Sequence, residues 1–296
     1  MSLSRAREKL VGRLRSRRLR EREGLVLVEG PHAIGVALEA GARFRFALVS
    51  ETLIPRGRHP AVSDPPVSDL LFSDPPTSDL PVSDSSAFLL AALEAAGVDV
   101  VPVPSVTLAE LADTEHPQGL LAVVEEPTAT LEGWRDAVPT GAGPGPSPLL
   151  VLDRIQDPGN AGTLIRSAAA FGSPGVVALD GTVDPWNPKV VRASAGEAFR
   201  IPVVRSTWEA FDVWRRSLHL PLLVADAGGE DVRDFQVQPP QILLVGNEGS
   251  GPRPEALAAS GTILALPLAP GVESLNAAMA GSILLWALGP GAAYVP

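Results

Sequence analysis

The sequence predicts a two-domain α/β protein whose second domain carries a mainly parallel sheet covered on both faces. Three observations lead there. Short apolar runs alternate with helical stretches along most of the 296 residues, which is the pattern of strands joined by crossover helices. A chain of this length is a prior for two domains rather than one. A linker at 127–148 divides it, and its core, Gly141-Ala142-Gly143-Pro144-Gly145-Pro146-Ser147-Pro148, cannot hold regular structure.

The first domain spans 1–126 and opens on a basic arm. Residues 1–22 hold nine Lys/Arg against two Glu, although the whole chain has net charge −10. Arginines cover nearly every face of the arm, which reads either as a nucleic-acid contact or as a solvated helix. Leu25 to Val28 is a short strand, and Gly30-Pro31 starts a helix that runs to Ala40 and ends at Gly41. A second strand follows at 46–49. A helix at 87–96 closes on Gly97, then come a strand at 98–103, a short helix at 108–112 and a strand at 119–124. This α/β domain is interrupted at 55–86, where Ser-Asp recurs every five residues between proline pairs. Proline removes backbone donors, so this stretch reads as an extended surface insertion.

The second domain, 149–296, alternates again. Strands are expected near 149–152, 175–179, 201–204, 222–225, 242–245 and 262–266, with helices near 160–171, 189–195, 207–217, 254–258 and 274–288. In such sheets ligands sit at the carboxyl ends of the strands.

Composition narrows the chemistry. There is no cysteine, so disulfides, thiolate metal sites and a Cys nucleophile are ruled out. The four histidines, His32, His59, His116 and His219, lack metal-ligand spacing, and no metal is expected. The start lacks the apolar core of a signal peptide, and the apolar stretch 275–288 is too short to span a bilayer. A soluble, cytoplasmic protein is therefore the expectation.

Three polar turns follow apolar strands of the second domain: Asp157-Pro158-Gly159-Asn160, Gly246-Asn247-Glu248-Gly249 and Glu273-Ser274-Leu275-Asn276. In the first, Asn160 is expected to N-cap a helix, and Arg166 points off the stripe of Leu164, Ala168 and Phe171. The glycines of the second permit close approach of backbone to a ligand. It is no P-loop, because no Gly-Lys-Ser/Thr follows, and Pro252 and Pro254 break a dinucleotide-binding spacing. In the third, Ser274 is expected to cap the last helix, with Asn276 in its first turn and free N–H groups facing a ligand. Taken singly, each turn has an ordinary structural explanation.

As a set they resemble a known family. Leu152 to Gly162 with Arg166, Leu244 to Gly249, and Leu266-Pro267-Leu268 followed by Val272 to Asn276 are similar, in order and spacing, to the three motifs of the SpoU (TrmH-like) RNA ribose 2′-O-methyltransferases. Leu27-Val28-Glu29-Gly30 and His116-Pro117-Gln118-Gly119-Leu120 resemble segments of the L30e-like substrate-binding domain that often precedes them. The resemblance covers essentially the whole chain. It implies a sheet with a deep trefoil knot, a homodimer with the last helix near its interface, and S-adenosyl-L-methionine as cofactor. Val245, Gly246, Gly249, Leu266, Leu268, Ser274 and Leu275 would hold that cofactor. It implies Arg166 as the group that activates the 2′-hydroxyl, with Asn160, Glu248, Ser274 and Asn276 organising the site. A guanidinium is a poor base, so Arg166 is better read as a stabiliser of developing alkoxide and a phosphate anchor. Family analogy favours ribosomal over transfer RNA. Transfer RNA methylation and a non-catalytic RNA-binding or ribosome-assembly role stay open beside it.

Overall fold

The computed structural model describes residues 3–54, 82–134, 147–236 and 241–289. The chain divides into two compact units: Met1–Glu126 with Trp186–Phe199, and Pro127–Pro185 with Arg200–Pro296. The sequence read the domains as contiguous, yet the first unit also takes in a short segment from the second half of the chain.

In the first unit the basic arm is folded into the domain. It forms α1 (Arg5–Arg13), capped by the Ser4 hydroxyl, and α2 (Arg17–Glu23), closed by Gly24 in the left-handed region. Val11 and Leu14 are fully buried. They join a core with Leu27, Phe46, Leu48, Val101, Leu108 and Leu121. Three of the arginines serve the fold. Arg20 is buried and donates to the carbonyls of Leu14 and Arg15. Arg15 donates to the carbonyls of Glu110 and Ala112, and Arg7 pairs with Asp99 at 2.6 Å.

The remaining elements are β1 (Leu25–Glu29), α3 (Pro31–Glu39), β2 (Phe44–Ser50), α4 (Val82–Ala95), β3 (Val100–Val103), α5 (Ser105–Leu111) and β4 (Leu120–Glu125). The sheet order is β1-β4-β2-β3, with only β2 and β3 parallel. Most of the insertion expected at 55–86 lies outside the described residues, and its end belongs to α4. The added segment carries α7 (Pro188–Ala193) and a 3-10 turn (Glu197–Phe199). It docks because Gly196, at φ +87°, leaves no room for a Cβ against the backbone of Ala33. Arg192 also lies 3.7 Å from both Glu29 and Asp113.

The second unit holds β5 (Leu149–Leu152), α6 (Pro158–Ala170), β6 (Val176–Leu179), β7 (Val203–Ser206), α8 (Trp208–Ser217), β8 (Leu222–Asp231), β9 (Ile242–Val245), α9 (Pro254–Ala259), β10 (Thr262–Ala265) and α10 (Ala277–Leu288). Its six strands are all parallel, in the order β10-β8-β9-β5-β6-β7. Runs such as Leu-Leu-Val-Leu and Ile-Leu-Leu-Val are buried at every position, as a sheet covered on both faces requires. After β5 the chain builds outward through β6 and β7, and β9, β8 and β10 fill the other side. That reversal opens a crevice beside β5 and β9 at their carboxyl ends. Over it, α10 packs on α6. Gly281 permits this, since a Cβ there would meet Leu164 at 2.5 Å, and the hydroxyls of Ser167 and Ser282 lie 2.7 Å apart. Strand β8 runs to Asp231, well past the expected 225, because Gly229 lets it pass against the backbone of Ile263. The linker is tethered by Trp134, which is buried and stacked on Trp214 at 6.3 Å. Residues 135–146 of the linker lie outside the described residues. Among the described residues, no helix is long and apolar enough to cross a membrane.

Candidate active site

The three turns meet at the carboxyl ends of the strands, and their local chemistry differs from the expectation in two places. Asp157, not Asn160, caps α6: its Oδ1 accepts from the Asn160 amide at 2.8 Å. The reason is Pro158. Proline suits the first helical position and holds the residue before it extended, so the cap falls on Asp157 at φ −76°, ψ 123°. Asn160 is thereby moved into the first turn, and its side chain is released for other partners. Likewise Asn276, not Ser274, caps α10, with Oδ1 accepting from the amides of Ala278 at 2.9 Å and Met279 at 3.1 Å.

That second cap fixes a relay of amides. Since Asn276 Oδ1 is taken by backbone donors, its Nδ2 must donate, and it does so to Asn160 Oδ1 at 2.9 Å. Asn160 Nδ2 must then donate in turn, to Glu248 Oε1 at 3.0 Å. One residue from each of the three turns is thus joined in a single hydrogen-bonded chain. Glu248 also accepts from Asn247 Nδ2 at 3.3 Å and from the amides of Gln156 and Asp157 at 3.4 Å. Four donors converge on one carboxylate, so Glu248 is an anchor between turns with little acceptor capacity left over.

Beside the relay lies a cavity of about 170 Å³, lined by Val245, Gly246, Leu266, Leu268, Ser274, Leu275 and Glu248, among others. Gly246 is obligatory there, because a Cβ would sit 2.3 Å from the nitrogen of Pro252. The loop after it closes on itself. Asn247 and Gly251 exchange backbone hydrogen bonds of 3.1 and 3.0 Å, and Asn247 Oδ1 accepts from the amides of Gly249 and Ser250. Gly249 therefore does not line the cavity, since its amide is engaged within the turn. Backbone pressed this tightly against an apolar, concave wall suits a flat ring such as adenine. The fit to the implied cofactor rests on this cavity, whose wall a Cβ on Gly246 would displace by meeting the backbone of Gly251 and Pro252.

Arg166 stands apart. It is exposed on α6 and makes no hydrogen bond or ion pair among the described residues. Six residues of helix put it roughly 120° around the axis from Asn160.

Sequence reasoning passed over a buried staple behind the site. Asp153, fully buried at the end of β5, accepts from Arg253 Nε at 2.7 Å and from the Arg253 amide at 2.7 Å. Arg253 reaches on to Asp180, with Nη1 at 3.3 Å from its carboxylate, and lies over the Trp208 ring. Burial opposes the charge on Arg253, but the hydrogen bonds and charges of Asp153 and Asp180 together outweigh it, and its pKa is raised. Asp180 has its pKa lowered, the cost of burial being outweighed by the Trp208 amide and by Arg253. Strand β9 completes the staple, as the Asp153 amide donates to the Val245 carbonyl at 2.9 Å. An acid directly after four buried apolar residues was the available signal.

The chain is similar to known proteins. A model of the SpoU rRNA methylase family matches residues 147–286, and one of the MRM3-like substrate-binding domain matches residues 7–122. An uncharacterised tRNA/rRNA methyltransferase of Synechocystis is 31% identical over 90% of this chain and 84% of its own length. The 23S rRNA (guanosine(2553)-2′-O)-methyltransferase RlmP of Bacillus subtilis is 34% identical over 60% of this chain and 66% of its own. The crystal structure of an AdoMet-bound rRNA methyltransferase from Sinorhizobium meliloti superposes with a TM-score of 0.75 at 25% identity, covering 97% of this chain and 95% of that one.

Proposed function

Because the chain belongs to the SpoU rRNA methylase family, we propose that it transfers the methyl group of S-adenosylmethionine to a ribose 2′-hydroxyl of structured RNA, with ribosomal RNA as the substrate. The observation that carries this reading is the relay Asn276–Asn160–Glu248 at the edge of the Gly246 cavity. Rings held by backbone on one side and a row of oriented amides on the other suit alignment of a hydroxyl with a methyl donor. The ribosomal preference is supported by relatives such as RlmP, named for 23S rRNA.

Val245, Gly246, Leu266, Leu268, Ser274 and Leu275, which line the cavity, would hold the cofactor. Bound there, S-adenosylmethionine supplies an electrophilic methyl carbon and leaves as a neutral thioether. The chain must then orient the hydroxyl and help it lose a proton. Asn160 and Asn276, locked by their own hydrogen bonds, orient. Glu248 holds the turns together, and its filled acceptor sites make it a poor choice of base. Arg166, exposed and unpaired among the described residues, would bind an RNA phosphate and stabilise developing alkoxide. A phosphate oxygen or water then takes the proton.

The same reading includes a trefoil knot in the second unit, an L30e-like fold for the first, and a homodimer. The dimer is supported by one face of α10, where Met279 is 56%, Ile283 40% and Trp286 41% exposed. Spacings of four and three residues put these side chains on one stripe. An experiment separates this from a non-catalytic RNA-binding role. Calorimetry should show the wild-type chain binding S-adenosylmethionine, and Asn160→Ala should keep that affinity while methyl transfer to ribosomal RNA falls. A chain that binds RNA and no cofactor would support the non-catalytic role.

A further inference from the structure

We propose that Asp226 gives the Gly246 cavity its selectivity for charge, serving as counter-charge to the cationic tail of an adenosyl ligand. This rests on the methyltransferase reading and goes a step beyond it.

Asp226 follows Ala225, whose Cα is in register with Val245 of β9, so it stands level with Gly246 at the carboxyl edge of the sheet. It lines the cavity. Its Oδ1 accepts from the Gly228 amide at 2.9 Å. Its Oδ2 has no hydrogen-bond partner among the described residues and lies 3.7 Å from where a Cβ on Gly251 would sit. One carboxylate oxygen is thus held beside the tight loop with no ion-pair partner among the described residues, although Arg154 Nη2 reaches the Gly251 carbonyl at 3.3 Å.

The rest of the wall sharpens the point. Two acids line this cavity, Asp226 and Glu248, and among the described residues no lysine or arginine does. Glu248 is occupied by its four donors. The other lining groups are mostly aliphatic side chains and backbone, which screen a charge poorly. A nucleotide phosphate would meet uncompensated negative charge here, whereas a sulfonium or an ammonium would be attracted. The glycine-rich turn is therefore unlike a phosphate loop in its electrostatics as well as in its sequence. After transfer the ligand loses its sulfonium charge and part of that attraction, which would favour release of the product.

The test is calorimetry on the full chain with three ligands: S-adenosylmethionine, S-adenosylhomocysteine, which lacks the sulfonium, and methylthioadenosine, which lacks the amino-acid tail. Asp226→Asn keeps the acceptor for Gly228 and removes the charge. It should weaken S-adenosylmethionine by roughly three- to tenfold and leave methylthioadenosine within about twofold. Asp226→Glu should retain the preference. A loss for S-adenosylmethionine alone identifies the sulfonium as the partner, and a loss shared with S-adenosylhomocysteine identifies the ammonium. Equal weakening of all three ligands, or of none, would overturn the proposal while leaving the methyltransferase reading intact. A wild-type chain that binds none of the three would overturn both.

Discussion

At the residue scale the site depends on which atom of each side chain is already engaged. Asn276 uses its oxygen to cap α10, and this decides the orientation of Asn160 and the donor offered to Glu248. The residues themselves were legible in the sequence, since all three sit in the polar turns. Their roles were not, because capping was assigned by residue type without the effect of Pro158 or of where α10 begins. Gly246→Ala should abolish measurable cofactor binding by calorimetry, as its Cβ would overlap Pro252. Arg166→Lys should lower turnover by roughly tenfold or more with little change in cofactor affinity, because charge survives and the fork geometry does not. Wild-type-like turnover would remove Arg166 from the mechanism. Asp180 adds a pH dependence. Its folded pKa lies below the ordinary carboxylate value, so the stability it contributes is present above about pH 4 and is lost as pH falls through the folded value. The stability difference between wild type and Asp180→Asn in urea titrations should shrink as pH is lowered below about 4.

At the element scale, the strands and helices of both units follow the sequence closely, because buried parallel strands and amphipathic helices carry strong periodic signals. What the periodicity could not show is how two elements are held together. The staple from Asp153 to Arg253 joins the end of β5 to the start of α9, and so brackets the Gly246 loop. Asp153→Ala removes the buried partner of Arg253, leaving it only the longer contacts to the half-exposed Asp180, and should destabilise the second unit by roughly 3–5 kcal/mol in chemical denaturation. Destabilisation of under about 1 kcal/mol would mean the loop is fixed by its backbone bonds alone. The N-terminal helices carry a similar lesson. Removing 1–22 would strip Val11, Leu14 and Arg20 from the core, so deletion cannot isolate a charge effect. Replacing the exposed Arg5, Lys9 and Arg18 with Gln spares the core. If the arm touches RNA, the slope of log affinity against log salt should flatten by about one unit for each phosphate no longer neutralised. An unchanged slope would make these helices purely structural.

At the scale of the whole molecule, the sequence split the chain at its glycine- and proline-rich linker. In the structure the compact units change at Glu126–Pro127, ahead of that linker, and Trp186–Phe199 belongs with the first. Nothing in the local sequence marks that segment as belonging elsewhere. Its placement depends on long-range fit at Gly196 and on the charge of Arg192. The exposed stripe of Met279, Ile283 and Trp286 is a further property of the whole molecule, and it supports the proposed homodimer. Met279→Lys with Ile283→Glu should shift the sedimentation profile toward monomer if α10 forms the interface.

The central claim, methyl transfer to a ribose 2′-hydroxyl, is tested most directly by incubating the protein with methyl-labelled S-adenosylmethionine and unmodified ribosomal or transfer RNA. Alkaline hydrolysis then maps any protected linkage. Label is expected in ribosomal RNA at a discrete site resistant to alkali, lost with Asn160→Ala. Label on a base, or no label in RNA from a chain that binds the cofactor, would contradict it.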